Sequence, residues 1–201
     1  MTVTGTNVVE LDRIAVQEAV RVVDLATPED WTRDTPCTGW NLRRLVAHMT
    51  AQHVGFAAAA RGAGRQPEHW REPEELSEPA RTHRSAAAAV LAAFAEPGAT
   101  EREFTLPNLG DFPGGRAMGF HFVDYVVHAW DVAAALGTTV DLPEHVLVAA
   151  LAVARAVPAD PARRGPGSSF GPALEVPAGS GPLEEALRLL GRSPERWPVR
   201  G

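Results

Sequence analysis

Apolar residues recur at helical spacing along most of the chain. Val9, Leu11, Ile14, Ala15, Ala19, Val22 and Val23 form one broad apolar face, which predicts a helix opening at Asn7. Asn7 and Glu10 have the spacing of a capping box, with Asn in place of Ser or Thr. The pattern stops at Thr27-Pro28-Glu29-Asp30, where Pro suits a first helical position, and a connector, Thr35 to Trp40, follows. A second helix is predicted from Asn41 to Ala60, with Leu42, Leu45, Val46, Met49 and Phe56 on its buried side and His48 on that same side. Gly62 to Pro79 is polar and proline-bearing, hence a long loop, and an alanine-rich third helix runs from Ala80 to Ala95.

The stretch Glu103 to Pro113 carries β-type residues broken by Pro and Gly, and reads as a short hairpin or an extended loop. After Gly114-Gly115 a long helix is expected over Arg116 to Leu136, stopped by Gly137 just past its last turn. Asp141 and Glu144 make a cap-like pair around Pro143, opening a helix to about Val157. Residues 158–182 are rich in Pro and Gly and read as irregular, and Glu184 to Leu190 as a short last helix. No repeat and no second domain is evident, so residues 1–201 are read as one all-α domain with short irregular or hairpin segments and a C-terminal tail.

Composition then narrows the chemistry. The formal charge is −6, without a long basic run, which argues against nucleic acid as a partner. The N-terminus lacks a basic start followed by an apolar stretch, and the apolar runs are too short to span a bilayer. A cytoplasmic protein without a membrane partner is therefore expected. All 19 basic residues are Arg, which excludes Schiff-base lysine chemistry and the P-loop lysine. One cysteine, Cys37, leaves no Cys-pair zinc site, so a metal would need His and carboxylate ligands. No glycine-rich dinucleotide fingerprint follows a strand.

The long helix at 116–136 carries the strongest chemical signal. Amid Phe120, Phe122, Val123, Val126 and Val127 lie four polar groups, His121, Asp124, His128 and Asp131, spaced by three, four and three and hence on one face. A carboxylate on a buried face needs a partner, and a divalent cation is one. Asp124 and His128 can reach one ion at the usual ligand distances of about 2.0–2.2 Å. His48, on the core side of the second helix, is the best third ligand. Two His and one carboxylate leave positions open for water or substrate. The competing reading is ordinary: an Asp/His pair on a helix is also a common hydrogen-bonded pair. His53, His83, His69 and His145 have no carboxylate at useful spacing and read as solvated.

Three stretches, TPCTGWNLRRLVAHM, DYVVHAWDVAAALG and the tail FGPALEVP…LEEALRLLGRSPERWP, resemble in that order the DinB-like superfamily, and within it the actinobacterial metal-binding branch related to mycothiol-dependent maleylpyruvate isomerases. The resemblance implies a DinB-like four-helix bundle with a long crossover and a metal between helices near one end. It carries the ligands onto His48 and His128, with Asp124 where the isomerases have Glu. Asp is one methylene shorter, which would draw the ion towards this helix. A His/carboxylate donor set accepts zinc readily, with iron or nickel as alternatives because affinity alone does not choose the occupant. The resemblance further implies a metal-bound low-molecular-weight thiol such as mycothiol acting as nucleophile. Those isomerases carry an extra C-terminal domain that does not match here, which loosens the transfer of their particular substrate.

Other residues keep alternatives open. His121 is either a satisfied core histidine or an acid–base catalytic group. Asp131 reads as a carboxylate orienting a ligand histidine or serving a helix end. Trp40 and Trp130 read as packing, and Cys37 as structural, with no evident base beside it. Arg116, Arg163 and Arg164 could clamp a substrate carboxylate, with a solvated role as the default. The leading function is a metal- and thiol-dependent isomerase or transferase acting on a small electrophile. Its expected partners are a small-molecule substrate and a low-molecular-weight thiol, with a homodimer allowed. A thiol-independent Lewis-acid isomerase, lyase or cyclase using His121 as proton carrier, and a non-catalytic metal-binding protein, compete with it.

Overall fold

A computed structural model describes residues 7–74, 76–107, 109–158, 164 and 170–197. Helix α1 spans Val8–Val23, α2 Leu42–Ala60, α3 Pro79–Phe94, α4 Gly114–Leu136, α5 Glu144–Ala156 and α6 Pro182–Leu189. Single 3₁₀ turns lie at Asp30–Thr32, Pro67–Trp70 and Pro194–Arg196. The one described sheet is a hairpin of β1 (Glu103–Leu106) and β2 (Gly110–Pro113), in antiparallel register with Phe104 opposite Phe112.

Local chemistry sets most boundaries. The side chain of Asn7 accepts from Val9 N–H and that of Asn41 from Arg44 N–H, each satisfying an amide that the first turn leaves free. Glu10 does not complete the expected capping box; it pairs with Arg13 one turn on. Proline opens α3 and α6 at positions where no amide is needed. Gly137, at φ 75°, ends α4 in the left-handed conformation that a side chain would disfavour. Helix α4 starts two residues earlier than the sequence suggests, because β2 runs directly into it. The amides of Gly114 and Gly115 find the carbonyls of Arg102 and Thr100 instead of a cap. A Cβ on Gly114 would lie 2.1 Å from the Ala99 carbonyl oxygen. Nor does Asp141 cap α5: its amide donates to Glu18 at 2.6 Å, and the helix begins behind Pro143 without a side-chain cap.

The helices α1, α4, α2 and α3 pack in a closed ring, with α4 touching α1, α2 and α5. The main core joins α1, the first half of α2, the second half of α4 and part of α5. A second cluster sits under the hairpin, with Phe56, Phe94, Phe104 and Met118 at its centre. In a third, Leu187 and Leu190 of the tail pack against Val123 and Val127 of α4 and Leu151 of α5. Helix α4 is therefore enclosed on nearly every side, and a polar side chain on it must find its partner inside the protein. None of the described helices is long and apolar enough to cross a membrane.

His53 and His83 correct the sequence reading, for both are fully buried. His53 stacks on Tyr125 with ring centroids 4.0 Å apart, and His83 lies 5.1 Å from His53. In alanine-rich helices the contrast between core and surface is weak, and a histidine can face inward without disturbing the pattern. The Tyr125 hydroxyl donates to the Met49 carbonyl, tying α4 to α2 beside these rings.

Candidate metal centre

The first half of α2 lies against the second half of α4, and there His48, Asp124 and His128 converge. One donor atom from each lies within 4.8 Å of the others. His128 Nε2 is 3.4 Å from Asp124 Oδ1, and the His48 and His128 rings meet edge to face at 5.5 Å between centroids. The His128 side chain is 4% exposed, against 23% for His48 and 19% for Asp124, so solvent reaches the group from one side. Trp40 stands 5.0 Å from His48, with the Arg44 guanidinium 4.6 Å above its indole.

Each histidine is held from behind by a carboxylate. His48 Nδ1 donates to Glu72 at 3.0 Å, and His128 Nδ1 to Asp131 at 2.9 Å. With the proton on Nδ1, the Nε2 lone pair of each ring is free for a ligand, which is the outer arrangement of most histidine–metal sites. The hydrogen bond from His48 holds Glu72 below the usual carboxylate range. Burial opposes a charge on His128, but Asp124, Asp131 and the Cys37 sulfur outweigh it and raise its pKa well above the histidine range. The surroundings thus call for positive charge at this ring, and a proton or a divalent ion can supply it. Two imidazoles and a carboxylate are a donor set that could hold a divalent ion.

Behind His128 lies a second group. Cys37, His128 and Asp131 also bring donor atoms within 4.8 Å of one another. The Cys37 thiol is 3.3 Å from Asp131 Oδ2, and Arg192 donates to Asp131 through Nε at 3.2 Å and Nη2 at 2.9 Å. The sequence showed no base beside Cys37; Asp131 and Arg192 are brought to it only by folding. Asp131 accepts from the His128 ring, the contact that the histidine-orienting reading calls for. Burial would raise its pKa, but Arg192 and His128 override burial and hold it ionised far below the carboxylate range.

His121, although on the same face of α4, belongs to neither group. It is fully buried: Nδ1 donates to Asp12 at 2.6 Å and Nε2 faces His53 Nδ1 at 3.2 Å. Of the three arginines considered as substrate clamps, Arg116 lies over the rings of Phe112 and Phe120. Arg164 is buried and donates to the carbonyls of Pro158, Gly171 and Leu189. Arg163 falls outside the described residues. Glu72 and Arg192, which support the two groups, were not singled out in the sequence. They sit in a loop and a tail, where no periodicity marks a side chain as inward-facing.

Residues 13–133 match the model of the mycothiol maleylpyruvate isomerase N-terminal domain. The chain belongs to this family. Two curated relatives from Mycobacterium tuberculosis, the uncharacterized protein Rv0738 of strain H37Rv and the uncharacterized protein MT0763 of strain CDC 1551, are each 35% identical over 159 residues, covering 79% of this chain and 83% of theirs. Among solved structures, the mycothiol-dependent maleylpyruvate isomerase superposes with a TM-score of 0.56 at 17% identity, and a point mutant of it with 0.56 at 16%. The superposition covers 72% of this chain and 66% of that enzyme, so the chain spans just under two thirds of its length. This likeness establishes the fold, the all-α DinB-like architecture.

Proposed function

We propose that this protein binds one divalent ion, most readily zinc, through His48, Asp124 and His128, and uses it with a small thiol of the mycothiol type on a small electrophilic substrate. The single observation that carries the reading is the convergence of these donors, with the outer nitrogen of each histidine already engaged by Glu72 or Asp131. Family membership supports the thiol, and isomerisation or S-transfer is the reaction class. An ion held by His48, Asp124 and His128 would supply Lewis acidity and would favour the thiolate form of a small thiol at neutral pH.

The chain's own residues perform the rest. Glu72 and Asp131 accept from Nδ1 of His48 and His128 and so fix their tautomers and ring planes, leaving Nε2 of each ring as the atom for a ligand. Asp124, reaching from one turn before His128, adds the negative charge that neutralises half of a divalent ion. Trp40 packs beside His48 with the Arg44 guanidinium over its indole, and Arg44, 4.0 Å from Glu72, sets a cation beside the group on this side. Of the two roles left open for His121, its enclosure against Asp12 and His53 favours the core histidine.

Two measurements test the reading. Elemental analysis of protein purified without a chelating column should find about one ion per chain, lost in His48→Ala, Asp124→Ala and His128→Ala. Adding mycothiol to the cobalt-loaded protein should produce a sulfur-to-cobalt charge-transfer band. A metal perturbed by a carboxylate or carbonyl metabolite and by no thiol would move the assignment to thiol-independent Lewis-acid chemistry. Full metal content in all three alanine variants would remove the site.

A further inference from the structure

Arg192 lies far outside the matched family domain, beyond α6, yet it is nearly the most enclosed arginine described, at 7% exposure. Its placement follows from the backbone. Gly191 turns with φ 83° after α6, and the Arg192 amide donates back to Leu187, so the side chain is turned towards α4. Nε and Nη2 bind the two oxygens of Asp131, Nη2 also reaches Cys37 Sγ at 3.3 Å, and Nη1 donates to the Leu190 carbonyl. The guanidinium therefore stands against the sulfur and the carboxylate of the Cys37–His128–Asp131 group, which has the donor types of a metal site.

That group is a hazard to the proposed centre. Zinc and its neighbours in the first row favour a thiolate over a carboxylate. An ion between Cys37 and Asp131 would take the His128 nitrogen that faces Asp131. Ligation through Nδ1 moves the ring proton to Nε2, and the lone pair directed at Asp124 and His48 is lost. We infer that Arg192 acts as a resident cation, occupying the Cys37–Asp131 position so that His128 keeps its proton on Nδ1 and presents Nε2 to the His48–Asp124 ion. Arg192 is thus a positioning residue, acting through Asp131, and the inference rests on the proposed metal reading. A guanidinium suits the task because its charge is permanent, its fork matches a carboxylate, and it cannot itself ligate a metal.

The test uses the full chain, reduced with a phosphine to exclude added thiols and loaded with cobalt. Wild type should bind one ion without a sulfur charge-transfer band. Arg192→Ala and Arg192→Gln should both acquire the band, Arg192→Ala/Cys37→Ser should lack it, and millimolar guanidinium should suppress it in Arg192→Ala. In a Cys37→Ser background, loss of Arg192 should weaken cobalt binding roughly 10–100-fold, the usual cost of losing an outer partner of a ligand histidine. Arg192→Gln keeps bulk and hydrogen bonding, so it reports even if the alanine variant fails to fold, and circular dichroism verifies the helices. Helical variants that bind cobalt with wild-type affinity and no band overturn the inference and leave the metal reading intact. A band already present in wild type also overturns it. Wild type that binds no cobalt overturns the metal reading, and with it the role assigned to Arg192.

Discussion

Burial of His83 has a consequence that acid should expose. Its ring lies in the core on α3, and among the described residues neither nitrogen has a hydrogen-bond partner. Burial drives its pKa down to about 4, ahead of the upward pull of the nearby Asp24 and the downward push of Arg84. In the unfolded chain the group titrates near the ordinary histidine value of about 6.5. Above that pH it is neutral in both states and contributes nothing. Between about 6.5 and 4 the unfolded chain takes up a proton that the native state refuses, so native stability falls as pH falls. Below about 4 both states are protonated and the loss levels off. The full gap is worth roughly 3 kcal/mol, with about 2.5 kcal/mol of it expressed by pH 4.5, a large part of a typical stability of ~5–15 kcal/mol. His83→Leu removes the titration and two unpartnered nitrogens, so it should be neutral to stabilising at pH 7. It should also cut the loss between pH 7 and pH 4.5 by about 2 kcal/mol. His53 retains an acid loss of its own, because burial and the neighbouring His83 and His121 hold its pKa well below the usual range. Urea unfolding of both proteins at several pH values, with chelator present so that metal release does not contribute, measures the difference. Parallel pH profiles for wild type and His83→Leu would refute the neutral, buried assignment.

Three further outcomes are expected. Asp131→Asn keeps the shape but not the charge beside His128 Nδ1, and should weaken metal binding roughly 10–100-fold in chelator competition; unchanged affinity would deny Asp131 an orienting role. Metal removal should lower the melting temperature without loss of helix: an ion at a hundred times its dissociation constant adds about 2.7 kcal/mol, or roughly 5–10 °C for a chain of this size. A melting curve indifferent to chelator would show that the ion does not tie α2 to α4. Gly55→Ala would place a Cβ 2.3 Å from the Trp70 ring, which should cost about 1–3 kcal/mol and shift Trp70 fluorescence; a neutral variant would mean that the indole is free to move.

Much of the scaffold was legible because its signals are local. Asn7, Asn41 and Gly137 act within a turn of themselves, and the hairpin was one of two readings offered for Glu103 to Pro113. The spacing that singled out Asp124 and His128 is equally local. What the sequence could not show is how far along a helix a shared face extends. His121 shares the face of His128, but seven residues separate them, about 10.5 Å along the axis, enough to place them in different polar groups. His83 did carry a signal, since it shares spacing with the buried Ala86, Ala87, Val90 and Phe94. The alanines made that face look no more apolar than its opposite. Glu72 and Arg192 carried none. Their partners are His48, 24 residues away, and Asp131, 61 residues away, and only the packing of loop and tail against the helices joins them.

The central claim is that His48, Asp124 and His128 hold the ion, and anomalous diffraction tests it most directly. Crystals of protein purified without a chelating column, measured on both sides of the zinc absorption edge, would place any metal without reference to activity. The account predicts one anomalous peak per chain, about 2.0–2.2 Å from Nε2 of His48, a carboxylate oxygen of Asp124 and Nε2 of His128, with the Arg192 guanidinium still on Asp131. A peak between Cys37 and Asp131, or none in crystals grown with excess zinc, would contradict it.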